Sequence, residues 1–224
     1  MRDVRGAVFE YRSVLAVCAH PDDESFGLGA VLTALAADGV ETRLLCFTHG
    51  EASTLGVAGG DLAAVRAAEL AAAGAVLGVR SVRLLSHSDG QLAQAQLDDL
   101  SHEVDESIVA GAVDCLLVFD EGGITGHADH EQATAAALAS ARRRDLPVLA
   151  WALADSVTSV LHDEFDAPFV GRPTSAIDFV VDVDRERQHR AIACHASQSS
   201  DNPVLRRRLA LQGDVETLRW LRAG

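Results

Sequence analysis

The chain has 224 residues, 48% of them hydrophobic, and a formal net charge of −14. This length suits one domain, residues 1–224, with a sizeable buried core. The negative charge argues against a nucleic-acid partner and against an anionic membrane surface, because both require a basic face on the protein.

The first two thirds of the chain alternate between predicted strands and helices. Short apolar runs predict strands over residues 14–19, 41–48, 81–85, 113–119 and 148–153. Helical patterns separate these runs, over residues 26–38, 62–77, 97–110 and 130–144. This alternation predicts a single α/β domain with a Rossmann-like, doubly wound and mostly parallel sheet.

The last third of the chain is less regular. Residues 155–173 mix Asp, Pro and Gly and predict a loop, whereas residues 177–183 predict a late strand at the sheet edge. Residues 185–197 and 203–221 predict helices. The basic run at residues 206–208 falls in a helical pattern, as does the one at 142–144, and we interpret both as solvated faces.

The termini and the cysteines bear on the cellular compartment. The N-terminus carries charges and no apolar core, so we predict no signal peptide and a cytoplasmic protein. Three of the four cysteines lie in apolar strand patterns, which is typical of buried thiols in a reducing compartment. All 19 basic residues are Arg, which favours a high-GC bacterial origin. The sequence leaves a homo-oligomer open.

A cluster of polar groups, A-H-P-D-D-E at residues 19–24, ends the first predicted strand. Pro21 has no N–H and stops the strand, and the residue before it is held extended. In open α/β sheets this edge is where ligands bind. Helix capping accounts for one or two of the acids. His20 and Asp23 also suit a metal such as Zn²⁺, and the cluster by itself leaves both interpretations open.

A second cluster follows the strand at residues 113–119. A Gly-rich loop carries His127, Asp129 and His130 just before the next helix. A lone His near a helix start is more often a surface or capping residue than a ligand. Two of them with an Asp between, at the same sheet edge as His20 and Asp23, favour a metal site.

Together, A-H-P-D-D-E and the later H-x-D-H resemble the PIG-L/LmbE family of zinc-dependent N-acetylglucosaminyl deacetylases. Weaker similarities are F-T-H-G-E-A at residues 47–52, R-x-x-E at 66–69, S-D-G at 88–90 and H-A-S-Q at 195–198. The resemblance spans residues 14–198 and implies a Rossmann-like fold, a Zn²⁺ cofactor and hydrolysis of an N-acyl amino sugar.

The resemblance also implies roles for single residues. His20, Asp23 and His130 would bind one Zn²⁺, or another divalent ion, with an open fourth position for chemistry. Asp22 would be the general base, a role that is compatible with its capping the next helix.

His127 would stabilise the oxyanion of the tetrahedral intermediate as an imidazolium, which Asp129 keeps charged. The alternative for His127 is a surface histidine in a loop.

Arg66 and Asp89 match positions that contact sugar hydroxyls in the family. The alternatives are an i,i+3 pair of Arg66 with Glu69, and a turn role for Asp89 before Gly90. Glu24 is interpreted as a helix-start acid or as a group behind the metal ligands.

The sequence therefore predicts a zinc-dependent deacetylase that acts on an N-acetylglucosamine-containing small molecule. One alternative is a family amidase that cuts a larger acyl group or a thiol conjugate. Another is a sugar-binding relative without turnover, although a pure binder has no need of Asp22. A nucleotide-binding protein is disfavoured, because the G-x-G at Gly27 and Gly29 lacks the third glycine. The loops at residues 49–60 and 155–173 should set the aglycone preference.

Overall fold

The computed structural model describes residues 11–55 and 61–223. The predicted absence of a signal peptide concerns residues outside this part, as does the end of the predicted loop 49–60. Among the described helices, none combines the length and the hydropathy that a bilayer crossing requires.

Strands and helices follow one another along the described chain. The strands are β1 (Ser13–Cys18), β2 (Glu41–Thr48), β3 (Ser81–His87), β4 (Cys115–Phe119), β5 (Val148–Ala154), β6 (Gly171–Arg172), β7 (Phe179–Asp182) and β8 (Val215–Arg222). The helices are α1 (Asp23–Phe26), α2 (Gly29–Ala37), α3 (Leu62–Leu77), α4 (Leu97–Gly111), α5 (Ala128–Arg144), α6 (Asp155–Phe165), α7 (Glu186–Cys194), α8 (Ala196–Ser199) and α9 (Pro203–Gln212).

The strands form one sheet in the order β3-β2-β1-β4-β5-β8-β7, with β6 paired to β5. The first five strands are parallel, whereas β8 runs antiparallel to both β5 and β7. The predicted α/β class with a doubly wound, mostly parallel sheet is confirmed, and β7 lies at the sheet edge as expected. The strand order reverses between β1 and β4, so a ligand crevice should open at their carboxyl ends.

Both faces of the sheet are buried, as a parallel sheet with helices on each side requires. Alternate residues of β1 point into the two hydrophobic cores, one on each face of the sheet. Ala16 packs with apolar residues of α2 and α3, and Leu15 packs with those of α4 and α5. Each fully buried Leu, such as Leu32 or Leu100, stabilises the fold by roughly 1.5–3 kcal/mol. These two cores hold the strand ends in place.

Local signals set the bounds of α3. The predicted N-cap is confirmed, because the Asp61 carboxylate accepts a hydrogen bond from Ala64 N at 3.1 Å. The helix ends at Gly78, whose φ of 82° is a left-handed conformation that glycine adopts without strain.

Two predictions in the last third are wrong. Residues 155–165 form α6, because Val157, Leu161 and Phe165 repeat at helical spacing and the fully buried Leu161 anchors the helix. The predicted helix over residues 203–221 stops at Gln212. Residues 215–222 then form β8, where the buried Glu216 and Leu218 alternate with more exposed positions.

Candidate metal centre and active site

A cleft of about 470 Å³ lies at the carboxyl edge of the sheet. It is lined by every residue that the sequence assigned a site role except Asp129, which is fully buried behind it. The loops after β1, β3 and β4 meet there, because the carboxyl ends of parallel strands share one edge.

His20, Asp23 and His130 converge at the wall of this cleft. His20 Nδ1 lies 3.1 Å from His130 Nε2, and one Asp23 carboxylate oxygen lies 3.0 Å from the same His130 nitrogen. All three side chains are buried, and their ligand atoms lie within 4.8 Å of one another. Two imidazole nitrogens and one carboxylate oxygen are a donor set that fits a divalent metal such as Zn²⁺.

The second ring nitrogen of each imidazole also has polar partners within the protein. His20 Nε2 lies 3.0 Å from Asp89 and 3.3 Å from Asp129. His130 Nδ1 lies 2.7 Å from the Thr125 hydroxyl and 3.2 Å from the Gly123 carbonyl. A metal-binding His commonly donates its other N–H to a carboxylate or carbonyl, which fixes its tautomer. This arrangement directs His20 Nδ1 and His130 Nε2 toward the Asp23 carboxylate, at the candidate metal position.

The electrostatics of the cluster favour a positive charge. Burial alone would lower the pKa of His20, but its hydrogen bonds to Asp129 and Asp89 raise that pKa to about 10. Burial would raise the pKa of Asp23, yet His130 and His20 hold it well below the usual range of a carboxyl. The Asp23 carboxylate is thus ionised, and Asp129 and Asp89 favour a positive charge at His20.

The Asp129 carboxylate joins the cluster to the loop after β3. One oxygen accepts a hydrogen bond from Gly90 N at 2.8 Å, and the other accepts one from Leu92 N at 3.0 Å. Its nearest histidine ring is that of His20. The structure therefore places this carboxylate behind His20, where it positions both the ring and the loop.

His127 is the N-cap of α5 and lies at the cleft. Its Nδ1 accepts a hydrogen bond from Asp129 N at 3.2 Å, and its ring centroid lies 4.7 Å from that of His20. Burial, His20 and His130 lower the pKa of His127. The expectation that the Asp129 carboxylate keeps His127 charged does not match this geometry. A neutral ring with its proton on Nε2 fits the observed bond.

Asp22 lies between the candidate metal centre and α3. Its φ of 129° is a strained conformation for a residue with a side chain, at a cost of about 1–3 kcal/mol. The carboxylate lies 2.9 Å from an Arg66 guanidinium nitrogen and makes no capping hydrogen bond to α1. Burial raises the pKa of Asp22 to about 7, although Arg66 opposes the shift. Such a group can exchange a proton near neutral pH.

Arg66 is buried and lines the cleft. Besides Asp22 it donates hydrogen bonds to the carbonyls of Gly50, at 2.7 Å, and of Pro21. The alternative pair with Glu69 is not formed, because that carboxylate accepts hydrogen bonds from Ser197 N and Oγ at 2.9 and 2.6 Å. Arg66 therefore orients Asp22 and the loop after β2.

Asp89 has protein partners for both carboxylate oxygens. One faces His20, and the other accepts a hydrogen bond from Ala52 N at 2.9 Å. Asp89 thus connects the loop after β2 to His20 of the candidate metal centre, in addition to lining the cleft.

The H-A-S-Q segment packs behind the Asp22 side of the cleft. His195 Nε2 lies 2.6 Å from the Glu24 carboxylate, and both side chains are fully buried. Glu24 also accepts a hydrogen bond from Asp22 N at 3.0 Å. Gln198 lines the cleft and accepts one from Ser53 Oγ at 2.7 Å. These contacts support the site through the backbone of Asp22 and the loop after β2.

Sequence reasoning missed the aromatic part of the cleft. The Phe119 ring lies 5.0 Å from the His130 ring and 5.2 Å from Trp151. A side chain at Gly27 would collide with both, since its Cβ would lie 2.5 Å from Phe119 and 3.0 Å from Trp151. Phe119 ends β4 and Trp151 lies within β5. Aromatic residues at these positions, near the carboxyl ends of predicted parallel strands, could have indicated that they line the cleft.

The interpretation of residues 206–208 as a solvated face is wrong for Arg208. This residue is only 3% exposed, lines the cleft and stacks on Trp151 with its guanidinium carbon 5.0 Å from the ring centroid. Its neighbour Arg207 does lie at the surface, paired with Glu164 at 2.7 Å. Helical periodicity separates the two side chains, because successive residues point about 100° apart.

Of the two loops expected to set the aglycone preference, the first contributes Leu55 to the cleft and the second contributes Phe169. Helix α9, to which the sequence analysis gave no role in the site, contributes Val204 and Leu205 as well as Arg208.

Comparison with known sequences finds a family match. The profile of the PIG-L family, described as GlcNAc-PI de-N-acetylase, matches residues 15–141. A relative from Acidothermus cellulolyticus, 1D-myo-inositol 2-acetamido-2-deoxy-alpha-D-glucopyranoside deacetylase, is 34% identical over 147 residues. That alignment covers 54% of this chain and 50% of the relative. The chain thus spans about half the length of the first curated relatives.

Comparison with solved structures finds the same fold. N,N'-diacetylchitobiose deacetylase from Pyrococcus horikoshii has a TM-score of 0.72 at 22% identity, covering 98% of this chain and 87% of that one. GalB, the 4-carboxy-2-hydroxymuconate hydratase of Pseudomonas putida, has a TM-score of 0.72 at 17% identity, covering 95% and 97%. Identities this low show the fold alone.

Proposed function

Because the chain belongs to the PIG-L family, we propose that it is a metal-dependent hydrolase that deacetylates an N-acetylglucosamine-containing small molecule. The observation that carries the proposal is the convergence of His20, Asp23 and His130 beside the strained, partly buried Asp22. A cytoplasmic location belongs to the same proposal, since it accords with a small-molecule substrate.

The metal we propose is Zn²⁺, one per chain, although the same donors accept other divalent ions. His20 Nδ1, the Asp23 carboxylate and His130 Nε2 would hold it, with Asp89, Asp129 and Thr125 fixing the two rings. Bound there, Zn²⁺ would lower the pKa of a coordinated water to about 7 and polarise the amide carbonyl.

Asp22 is the general base in this proposal. Its carboxylate takes a proton from the attacking water and passes it to the nitrogen of the leaving amine, because an amide anion leaves poorly. Arg66 holds one carboxylate oxygen at 2.9 Å and thereby fixes the direction of the transfer. Glu24 holds the Asp22 backbone in the conformation that this position needs.

His127 and the polar groups of the cleft complete the proposed site. His127 would stabilise the oxyanion by donating from Nε2, since its Nδ1 already accepts a hydrogen bond. Arg66 and Asp89 line the cleft. They would contact sugar hydroxyls through hydrogen-bonding positions of their side chains that protein groups do not already occupy.

A second candidate is an amidase of the same family that cuts a larger acyl group or a thiol conjugate. The observation in its favour is the aromatic wall of Phe119, Trp151 and Phe169, which offers more apolar surface than an acetyl methyl needs.

We expect the zinc-loaded protein to release acetate and a free amine from small glycosides of N-acetylglucosamine. The measurement is an amine-release assay across free N-acetylglucosamine, its methyl glycoside and chitin oligomers, with the metal-free protein as control. The proposal would be refuted by activity confined to long chitin oligomers. Release of amine only from long-chain N-acyl or thiol-conjugated substrates would support the second candidate.

Asp129→Asn should weaken metal binding by about 10- to 100-fold. The amide keeps the size of the carboxylate but cannot accept hydrogen bonds at both ends, so it loosens either the loop at Gly90 and Leu92 or the His20 ring. Competition with a chelator measures the affinity.

The matched control is Asp163→Asn, which makes the same change at an exposed position of α6. Equal metal affinity in the Asp129 variant and this control would show that the carboxylate does not position His20.

A further inference from the structure

A buried arginine that has no carboxylate partner among the described residues lines the cleft. Arg208 donates hydrogen bonds to the Gln212 side-chain oxygen, at 2.7 Å, and to the Phe26 carbonyl. It forms no ion pair with any carboxylate among residues 11–55 and 61–223, although it is 97% shielded from solvent. Neutral oxygen acceptors thus provide its hydrogen bonds within the protein.

The surrounding network has an excess of positive charge. The buried acid near Arg208 is Glu216, but its carboxylate already binds Arg185 at 2.6 Å and the Trp151 indole N–H at 2.6 Å. Gln212 lies between Glu216 and Arg208, donating to the first at 2.9 Å and accepting from the second. The Glu216 carboxylate therefore pairs with Arg185, and Arg208 is connected to it only through Gln212. Burial lowers the pKa of Arg208 to about 10, with Glu216 and Arg185 acting in opposite directions.

Such a charge is costly to keep. A buried cation without a counter-ion destabilises a fold, and apolar replacements of buried charges are often neutral or stabilising. The contacts with Phe26, Gln212 and Trp151 orient the guanidinium without neutralising it. An orientated, uncompensated cation at a cleft wall is suited to receive an anion from the ligand.

Arg208 also lies where it could bind the far end of a ligand that reaches the candidate metal centre. A line of contacts leads from the metal cluster to it: His130 to Phe119 at 5.0 Å, Phe119 to Trp151 at 5.2 Å, and Trp151 to Arg208 at 5.0 Å. A ligand that reaches from the metal cluster along the rings would place its far end at Arg208.

We propose that the substrate carries a carboxylate group on the part that lies along Phe119 and Trp151, and that this group pairs with Arg208. The inference rests on the proposed function and narrows its substrate class to anionic amides. A single guanidinium matches the single charge and planar shape of a carboxylate, whereas a phosphate dianion would leave one charge unmatched. The carboxylate lies either on the aglycone or on the acyl chain, and the experiment uses a separate pair of probes for each position.

The test uses two pairs of probes that differ only in charge. The aglycone pair is the carboxymethyl and carbamoylmethyl glycosides of N-acetylglucosamine, and the acyl pair is N-succinyl- and N-succinamoylglucosamine. For the metal-loaded protein we expect one carboxylate probe to have a Kd at least about tenfold lower, and a kcat/KM at least about tenfold higher, than its neutral partner, because a hydrogen bond between charged groups contributes about that much. Arg208→Gln should abolish this preference.

The matched control is Arg207→Gln, which removes the same charge from the preceding residue, at the surface of α9. It should keep the preference. If Arg208→Gln fails to fold, Arg208→Met retains the apolar stem over Trp151 and removes the charge, and unfolding temperatures monitor both variants. Equal binding of both members in both pairs by the wild-type protein would overturn the inference without any variant.

The two proposals can fail separately. Calorimetric binding that selects the carboxylate through Arg208, without amine release, would uphold this inference and refute the hydrolase. Amine release from charged and neutral probes at equal rates would uphold the hydrolase and refute this inference. A charge preference that survives in both Arg208 variants would also refute it, because another group would then bind the carboxylate.

Discussion

Asp22→Asn is expected to lower turnover by at least about 10²-fold while the metal content stays at one per chain. The amide cannot take the proton of the attacking water, yet it has the shape of the carboxylate and tolerates a positive φ better than most residues. The measurements are kcat from the amine-release assay and metal content from elemental analysis on the same preparation.

The control for this variant is Asp38→Asn, an exposed carboxylate at the end of α2. It should leave both quantities unchanged. If Asp22→Asn instead lost its metal, Asp22 would be a ligand and the base would have to be another group. Full turnover by Asp22→Asn would remove the general-base assignment altogether.

His20→Ala should weaken metal binding by more than the roughly 10- to 100-fold that loss of a supporting hydrogen bond costs. The substitution removes a ligand atom and also separates the remaining pair, Asp23 and His130, from Asp89 and Asp129. Activity should fall with metal occupancy and should return in part at high metal concentration, which turnover measured against added Zn²⁺ would show.

His102→Ala serves as the control, because His102 is exposed on α4 and lies away from the cleft. A His20→Ala protein that binds metal as tightly as this control would contradict the proposed ligand set. Together, the Asp22 and His20 variants separate loss of chemistry from loss of the metal.

The strands β1 to β5 could be predicted from the sequence because their signals are local. Short apolar runs between polar breaks mark buried parallel strands, and Asp61 marks the start of α3 through one bond to Ala64. The metal cluster could also be predicted, since its residues follow strands whose carboxyl ends share an edge. Their pairing as ligands came from the resemblance to the PIG-L family, and not from spacing.

The errors arose where long-range contacts decide the structure. Residues 215–222 form β8 because β5 and β7 offer open edges on either side, and pairing with them outweighs helix propensity. Arg207 and Arg208 look alike in the sequence, but only the packing of α9 against Phe26 and Trp151 places the second one in the cleft.

The sequence by itself determined the α/β class, the positions of the first five strands along the chain and the sheet edge at which His20, Asp23 and His130 lie. These follow from local hydrophobic patterns and from the rule that parallel strands end together. The tertiary structure alone decided which groups stand behind the ligands, such as Asp89 and Asp129 at His20, and that Arg208 faces the cleft. These contacts join residues far apart in the chain, and their geometry depends on how helices and loops pack, which no local pattern records.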